Sequence, residues 1–222
     1  MIRMTKLLKY NNSTFGRYIN IKISHSIRKA IDELCQNKDY ESAMMHACNA
    51  VDGTASKLYP HAGSNSRFTT FIRENYDILG PMILPDIDLT KVRWPIEVNN
   101  PKAPGGQPDF ADMIYGVHRC CHAHGSELPS GFEIIPLPTK PDVISEIGIR
   151  KGAIALNENT MWGLLAIVMF APVNKDLHDP LLDTYYLTLG GKPYYINDWW
   201  GRKNEMPIPP EPRVVLDFSQ LK

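Results

Sequence analysis

Cysteine is scarce in this chain, with 4 in 222 residues, and two of them, Cys120 and Cys121, are adjacent. Their spacing does not form the disulfide framework of a small secreted protein, so we expect a reducing, cytoplasmic compartment. The longest apolar run, residues 161–171, is much shorter than the ~20 residues of a membrane-spanning helix. Residues 1–9 lack the apolar core and cleavage site of a signal peptide. We therefore expect no leader and no membrane partner.

The chain also has no excess of either charge, with 24 Lys and Arg against 24 Asp and Glu. The overall balance therefore gives no argument for a nucleic-acid partner. The distribution is uneven, because residues 1–31 hold seven basic residues and no acidic one. Such a segment can attract phosphate, although a solvated terminus is the simpler interpretation. We treat residues 1–23 as a basic N-terminal segment.

The first half of the chain shows apolar residues at helical spacing. The patterns, with Asp39 and Asp109 as N-caps and Gly80-Pro81 as a stop, predict helices at residues 24–35, 40–59, 66–79 and from 110 onward. The second helix carries a stripe of small side chains that allows close packing. Between the third and fourth helices, residues 81–108 are rich in proline and glycine and predict a long loop.

Beyond Gly131 the pattern changes to short strand-like segments. We predict a connector at 134–138, hairpins pairing 143–149 with 153–156 and 185–189 with 194–196, a buried helix at 161–170 capped by Asn159, and a terminal strand at 213–218. The predicted fold class is therefore α+β. An N-terminal up-and-down helical domain at 24–135 precedes a smaller mixed α/β segment with hairpins at 136–222, packed on the first.

The candidate functional residues crowd at the end of the fourth helix, in the run His118-Arg119-Cys120-Cys121-His122-Ala123-His124, closed by Gly125. Arginine binds phosphate, and histidine transfers protons near neutral pH. Cleavage of RNA by its own 2'-hydroxyl needs a base, an acid and positive charge beside the phosphoryl oxygens. His124 and Arg119 supply these groups, and the chemistry needs no metal.

The spacing Arg119-x4-His124, in an all-helical region, resembles the HEPN superfamily. Its members are helical up-and-down bundles that commonly dimerise, and many are metal-independent endoribonucleases with an Arg-x(4–6)-His motif. The resemblance covers residues 24–132. It implies an RNA-cleaving enzyme without a cofactor, with Arg119 and His124 as catalytic residues and a 2',3'-cyclic phosphate as product. It also implies a homodimer, a role as a toxin or defence effector, and an inhibitor or sensor protein as partner.

The helix geometry constrains this site. Five residues of a continuous α-helix advance about 500° and ~7.5 Å, so Arg119 and His124 would lie about 140° apart around the axis. Either the helix unwinds before Gly125, or two copies of the chain bring their motifs together across a two-fold axis. The resemblance favours the second arrangement.

Nearby residues are candidates for supporting roles. Tyr115 lies one turn before Arg119 on the same face, where its hydroxyl can contact a phosphate or orient the guanidinium, with core packing equally open. Asp112 can fix a histidine tautomer or cap the helix together with Asp109. His118 and His122 can assist the proton transfer.

Two other interpretations of the cluster stay open. His118 with His122, and Cys120 with His124, are spaced as zinc ligands on one helix face, although each face offers only two ligands. Alternatively, the polar cluster organises the interface of a non-catalytic, dimeric interaction or regulatory module.

Overall fold

The computed structural model describes residues 22–121, 128–137, 147–150, 152–207, 214–216 and 218. The helices are α1 Lys22–Asp32, α2 Tyr40–Leu58, α3 Ser64–Arg73, α4 Tyr76–Ile83, α5 Phe110–Met113, α6 Asn159–Phe170 and α7 Ile196–Trp199. The π-helical segments Glu33–Asn37 and Ile114–Arg119 extend α1 and α5, and short 3₁₀ turns lie at Pro172–Asn174, Pro180–Leu182 and Lys203–Glu205. The strands are β1 Phe132–Ile135, β2 Gly148–Arg150, β3 Ala153–Asn157, β4 Tyr186–Leu189 and β5 Lys192–Tyr195. The chain is therefore α+β, as predicted.

Helices α2 and α6 form the centre of the core. Every residue of α6 is buried, and α6 packs against both α2 and α4. Gly163 makes the approach to α4 possible, because a Cβ at this position would lie 2.7 Å from Leu79 Cδ1. On α2 the predicted stripe is buried at Ala43, Ala47, Val51 and Ala55. Helices before and after residue 135 thus share one continuous core, and the predicted domain boundary there stays a prediction.

The strands form two small sheets in the second half of the described chain. β3 pairs with β1 in parallel, placing Phe132 opposite Ile154, and with β2 in the antiparallel direction. β4 and β5 form an antiparallel hairpin across Gly190 and Gly191, whose φ angles of 58° and 78° suit glycine. The second predicted hairpin is confirmed, and the first is confirmed from residue 148 onward. Residues 143–146 lie outside the described residues.

Four local predictions were wrong. The third predicted helix, 66–79, is divided into α3 and α4, because Asn75 leaves the helical conformation at φ −122° and ψ 21° and its side chain donates to the Phe71 carbonyl at 2.7 Å. Pro81 does not end a helix, because α4 continues to Ile83; proline removes one backbone hydrogen bond, and burial of Leu79, Met82 and Ile83 outweighs this loss. Residues 134–135 belong to β1 rather than to a connector. Asn159 is the first residue of α6, and its N–H donates to the side chain of Asn157 at 3.0 Å.

The long loop is confirmed, because residues 84–108 hold no helix and no strand. Its apolar side chains Leu89, Val92, Trp94 and Ile96 are nevertheless buried. A β-bridge joins Ile87 to Val214. The structure describes residues 214–216 and 218 of the predicted terminal strand. Among these, Val214 is paired, through this bridge. The loop is thus fixed to the core along much of its length.

No helix among the described residues combines the length and the apolar composition needed to cross a membrane. The fully buried helix α6 has 12 residues.

Candidate functional site

A capping box starts the helix that carries the candidate residues. The Asp109 side chain accepts a hydrogen bond from the Asp112 N–H at 3.0 Å, and the Asp112 side chain accepts one from the Asp109 N–H. This confirms the predicted start of the fourth helix. After Met113 the hydrogen bonding becomes π-helical up to Arg119. Such segments are rare and occur frequently at functional sites.

Arg119 is the candidate catalytic residue that the structure describes. Its Nη2 donates to Asp52 Oδ2 at 3.1 Å, its guanidinium carbon lies 5.4 Å from the centre of the Tyr115 ring, and its side chain is 22% exposed. Burial, the largest single influence, lowers the pKa of Arg119, but the hydrogen bond to Asp52 and the charges of Asp52 and neighbouring groups together outweigh it, so this pKa is raised above its usual value. The guanidinium is therefore charged and held in place, on a side chain that is partly exposed.

Asp52 is shared between two arginines. Arg67 donates to its Oδ1 from both Nε and Nη2, each at 3.1 Å, while Arg119 uses Oδ2. We call Asp52, Arg67 and Arg119 the arginine cluster. It holds two positive charges against one negative charge, so it keeps an excess positive charge at a partly exposed position. The sequence pattern did not point to Asp52 or Arg67.

Tyr115 takes the position predicted for it. It lies on the face of Arg119, and its ring makes an edge contact with Phe68, with ring centres 5.4 Å apart. The ring thus contacts both the guanidinium and the core, and the role predicted for the Tyr115 hydroxyl stays a prediction.

His118 and Asp112 are both buried. His118 is 1% exposed. The Asp112 carboxylate accepts the N–H groups of Lys102 and Ala103 at 2.7 and 2.9 Å and also pairs with Arg73 at 2.9 Å. Among the described residues these contacts, with the capping box, give Asp112 a role in joining the loop to the helix. His122 and His124 lie outside the described residues.

Cys48 and Cys121 are poor nucleophiles. Burial raises the pKa of Cys48 to about 12, and burial also raises the pKa of Cys121. Both thiols are therefore protonated at neutral pH. Within the described part of the chain, no three His, Cys, Asp or Glu side chains are grouped to hold a metal ion. The zinc interpretation depends on His122 and His124 and stays a prediction.

A second charged group anchors the start of the same helix. Arg73 Nε and Nη2 donate to the two oxygens of Asp109 at 2.6 and 2.9 Å, and Nη2 also pairs with Asp112. Burial raises the pKa of Asp109, but the hydrogen bonds and charge of Arg73 and the N–H of Asp112 outweigh burial. The pKa of Asp109 is therefore below its usual value.

The low pKa of Asp109 makes stability depend on pH. A carboxyl with a lowered folded pKa stabilises the fold above its unfolded pKa of about 3.9, and this contribution is lost as the pH falls through the folded value. We expect the free energy of unfolding, measured with urea, to decline from about pH 4 downward. Asp109→Asn keeps a capping side chain without the titration, so its decline should be shallower. An equal decline in the variant would assign the effect to other carboxyl groups.

Comparison with known proteins places the chain in a family. It is 34% identical over 208 residues to uncharacterized protein Rv1289 of Mycobacterium tuberculosis (strain ATCC 25618 / H37Rv), covering 90% of this chain and 95% of that protein. Uncharacterized protein Mb1320 of Mycobacterium bovis (strain ATCC BAA-935 / AF2122/97) matches with the same identity and coverage. No solved structure matches. The Rv1289 family model matches residues 22–222, so the chain belongs to the Rv1289 family.

Proposed function

We propose that the protein is a metal-independent endoribonuclease that cleaves RNA through attack of the ribose 2'-hydroxyl. In this proposal Arg119 stabilises the charge on the phosphoryl oxygens and His124 transfers protons. Tyr115 orients the guanidinium, while His122 assists the proton transfer. The arginine cluster is the observation that carries the proposal.

The arginine cluster suits a phosphate because it is preorganised and not neutralised. Among the described residues, Asp52 is the acceptor bonded to Arg119, and its Oδ2 accepts from Nη2 alone. Nε, Nη1 and the second hydrogen of Nη2 are left to donate to a phosphate, and that Nη2 hydrogen completes one of the two forks that arginine offers. Because Asp52 and Tyr115 hold the side chain in advance, little reorganisation is needed when negative charge develops.

The reaction includes two proton transfers. Either two imidazoles carry them out, or one imidazole carries out both in turn. One base takes the proton of the 2'-hydroxyl, the 2'-oxygen bonds to phosphorus, and the 5'-oxygen leaves with a proton from an acid. The products are a 2',3'-cyclic phosphate and a 5'-hydroxyl end. In a homodimer the His124 of one subunit acts with the Arg119 of the other and serves as base and then as acid, which is why we propose a dimer.

We also propose a setting for this activity. An RNA-cleaving toxin or defence effector requires an inhibitor or sensor protein to control it. Cys48, Cys120 and Cys121 are free thiols, which supports a cytoplasmic location.

The proposal is tested by incubating the purified protein with total RNA in excess chelator. We expect cleavage to leave 5'-hydroxyl ends, and we expect Arg119→Ala to slow it by about 10²–10³-fold and His124→Ala by about 10²–10⁴-fold. Arg202→Ala is the matched control, because Arg202 also lies over an aromatic ring, that of Trp199. His178→Ala is the control for loss of an exposed imidazole. Cleavage that stops in chelator would contradict the metal-free mechanism.

Mixing the two inactive variants tests the composite site. If Arg119 of one subunit acts with His124 of the other, a mixed dimer of Arg119→Ala and His124→Ala contains one intact pair. Random exchange of subunits should then restore about a quarter of the wild-type rate, because about half of the dimers are mixed and each has one of two sites. No restoration after confirmed exchange would place both groups in one subunit.

A second candidate is the non-catalytic, dimeric regulatory module. The pairing of Arg119 with Asp52 and the burial of His118 favour it, since both are ways to stabilise a helix end. This candidate predicts a dimer and intact RNA at every protein concentration in the same assay.

A further inference from the structure

A groove runs along the long loop beside the candidate site. Its first part, with a volume of about 890 Å³, lies between residues 91–97 of the loop and the side chains of Val215, Leu216 and Phe218. Its second part, of about 630 Å³, shares Ile96, Glu97, Pro108 and Phe132 with the first. Because they share these residues, the two parts are continuous, and we call them the loop groove.

The first part of the loop groove combines aromatic walls with a basic edge. Phe132 and Phe218 line it and are each partly exposed. The buried Trp94 supports Phe218, with ring centres 5.7 Å apart. Lys91, whose side chain is 65% exposed, and Arg93 lie at the edge. Lys91 is paired with Asp88 Oδ2 at 3.0 Å, and Glu97 also lines this part, so the edge offers two cationic groups to a phosphate without a net positive charge.

The second part of the loop groove leads toward the arginine cluster. It is lined by Gly116 and Val117 of the π-helical segment. Gly116 precedes Arg119 by three residues in the same π-helical segment, so the two residues lie within one turn of each other. A chain lying along the groove would therefore reach the helix end that carries Arg119.

We propose that the loop groove binds a single-stranded stretch of RNA adjoining the linkage that is cut. This inference rests on the proposed function and adds the path of the substrate to it. Unpaired bases stack on Phe132 and Phe218, and phosphates contact Lys91 and Arg93. Aromatic walls beside a basic edge are the usual platform for single strands, because every base has a face that can stack. An A-form duplex keeps its bases stacked and cannot use these rings.

Binding is measured by fluorescence anisotropy with a labelled single-stranded 2'-O-methyl oligonucleotide. This probe lacks the 2'-hydroxyl nucleophile, so binding is measured without cleavage. We expect Phe218→Leu, which removes the ring but keeps an apolar side chain, to weaken binding about tenfold. We expect Lys91→Glu to weaken binding and to reduce the slope of log affinity against log salt by about one.

Two matched controls remove similar groups elsewhere. Tyr195→Leu removes a ring that is 42% exposed, and Lys192→Glu reverses an exposed charge on the same hairpin. Both should bind like the wild type. The urea midpoint of Phe218→Leu should match that of the wild type, and Lys91→Glu tests the same groove without altering its apolar wall.

The outcomes separate this inference from the proposed function. If the substitutions in the groove weaken binding but the wild type does not cleave ordinary RNA, the groove proposal is supported and the nuclease proposal is contradicted. If RNA is cleaved but Phe218→Leu and Lys91→Glu both bind the oligonucleotide with wild-type affinity, the nuclease proposal is supported and the groove proposal is contradicted. Equal affinity for a duplex of the same sequence would also overturn it, because the rings need unpaired bases.

Discussion

Arg73→Ala is expected to lower the free energy of unfolding by about 3–5 kcal/mol, because it leaves two buried carboxylates without their cation. The side chains of Asp109 and Asp112 are only 4% and 1% exposed, and Arg73 is bonded to both. Backbone N–H groups stabilise each carboxylate in part, but the positive charge has no replacement. Urea unfolding at neutral pH measures the loss.

Arg67→Ala is the matched control for this prediction. It also removes an arginine bonded to a carboxylate, but Asp52 is 22% exposed and keeps Arg119. We expect a loss of about 1 kcal/mol or less, in the range of exposed ion pairs. Adding Asp109→Asn to Arg73→Ala should recover part of the stability by removing one of the unpaired charges. Equal losses in the two arginine variants would show that burial of the partner does not set the cost.

Local sequence signals predicted the elements that depend on neighbouring residues. The Asp39 side chain accepts from the N–H of Ser42 at 3.0 Å, and Asp109 caps its helix in the same way. Gly190 and Gly191 form the predicted hairpin turn. A cap or a tight turn is stabilised within a few residues, so the sequence pattern carries enough information to place it.

Elements that depend on distant packing were not predictable in this way. Ile134 and Ile135 form a strand because Leu156 and Asn157, more than twenty residues later, pair with them. Pro81 stays inside a helix because apolar neighbours are buried on both sides of it. No local pattern reports such contacts, and local propensity alone gives the opposite answer at both places.

The candidate site also combines a local contact that the sequence predicts with a distant contact that it does not. Tyr115 and Arg119 are four residues apart on a helix, and their contact follows from that spacing. Asp52 is 67 residues from Arg119, and a single aspartate on a helix of small residues gives no sign of two arginine partners. The excess positive charge of the arginine cluster could therefore be recognised only from the three-dimensional structure.

Phe170→Ala is expected to lower the free energy of unfolding by about 3–5 kcal/mol. Phe170 is 1% exposed at the end of α6, and its ring contacts those of Tyr194 and Trp199, with centres 5.5 and 6.0 Å apart. Alanine removes both contacts and leaves a cavity at the junction of the central helix with the β4–β5 hairpin. Leu181→Ala, at a position 51% exposed, should change stability by no more than about 0.5 kcal/mol.

The same variant tests whether the chain unfolds as one unit. Because α6 packs against α2 and α4 while its last residue holds the hairpin, damage at Phe170 should destabilise both sides together. Unfolding followed by far-ultraviolet circular dichroism, which reports the helices, and by tryptophan fluorescence should give coincident transitions that shift to lower urea by the same amount. A helical transition that stays in place while the fluorescence transition moves would instead divide the chain near residue 135.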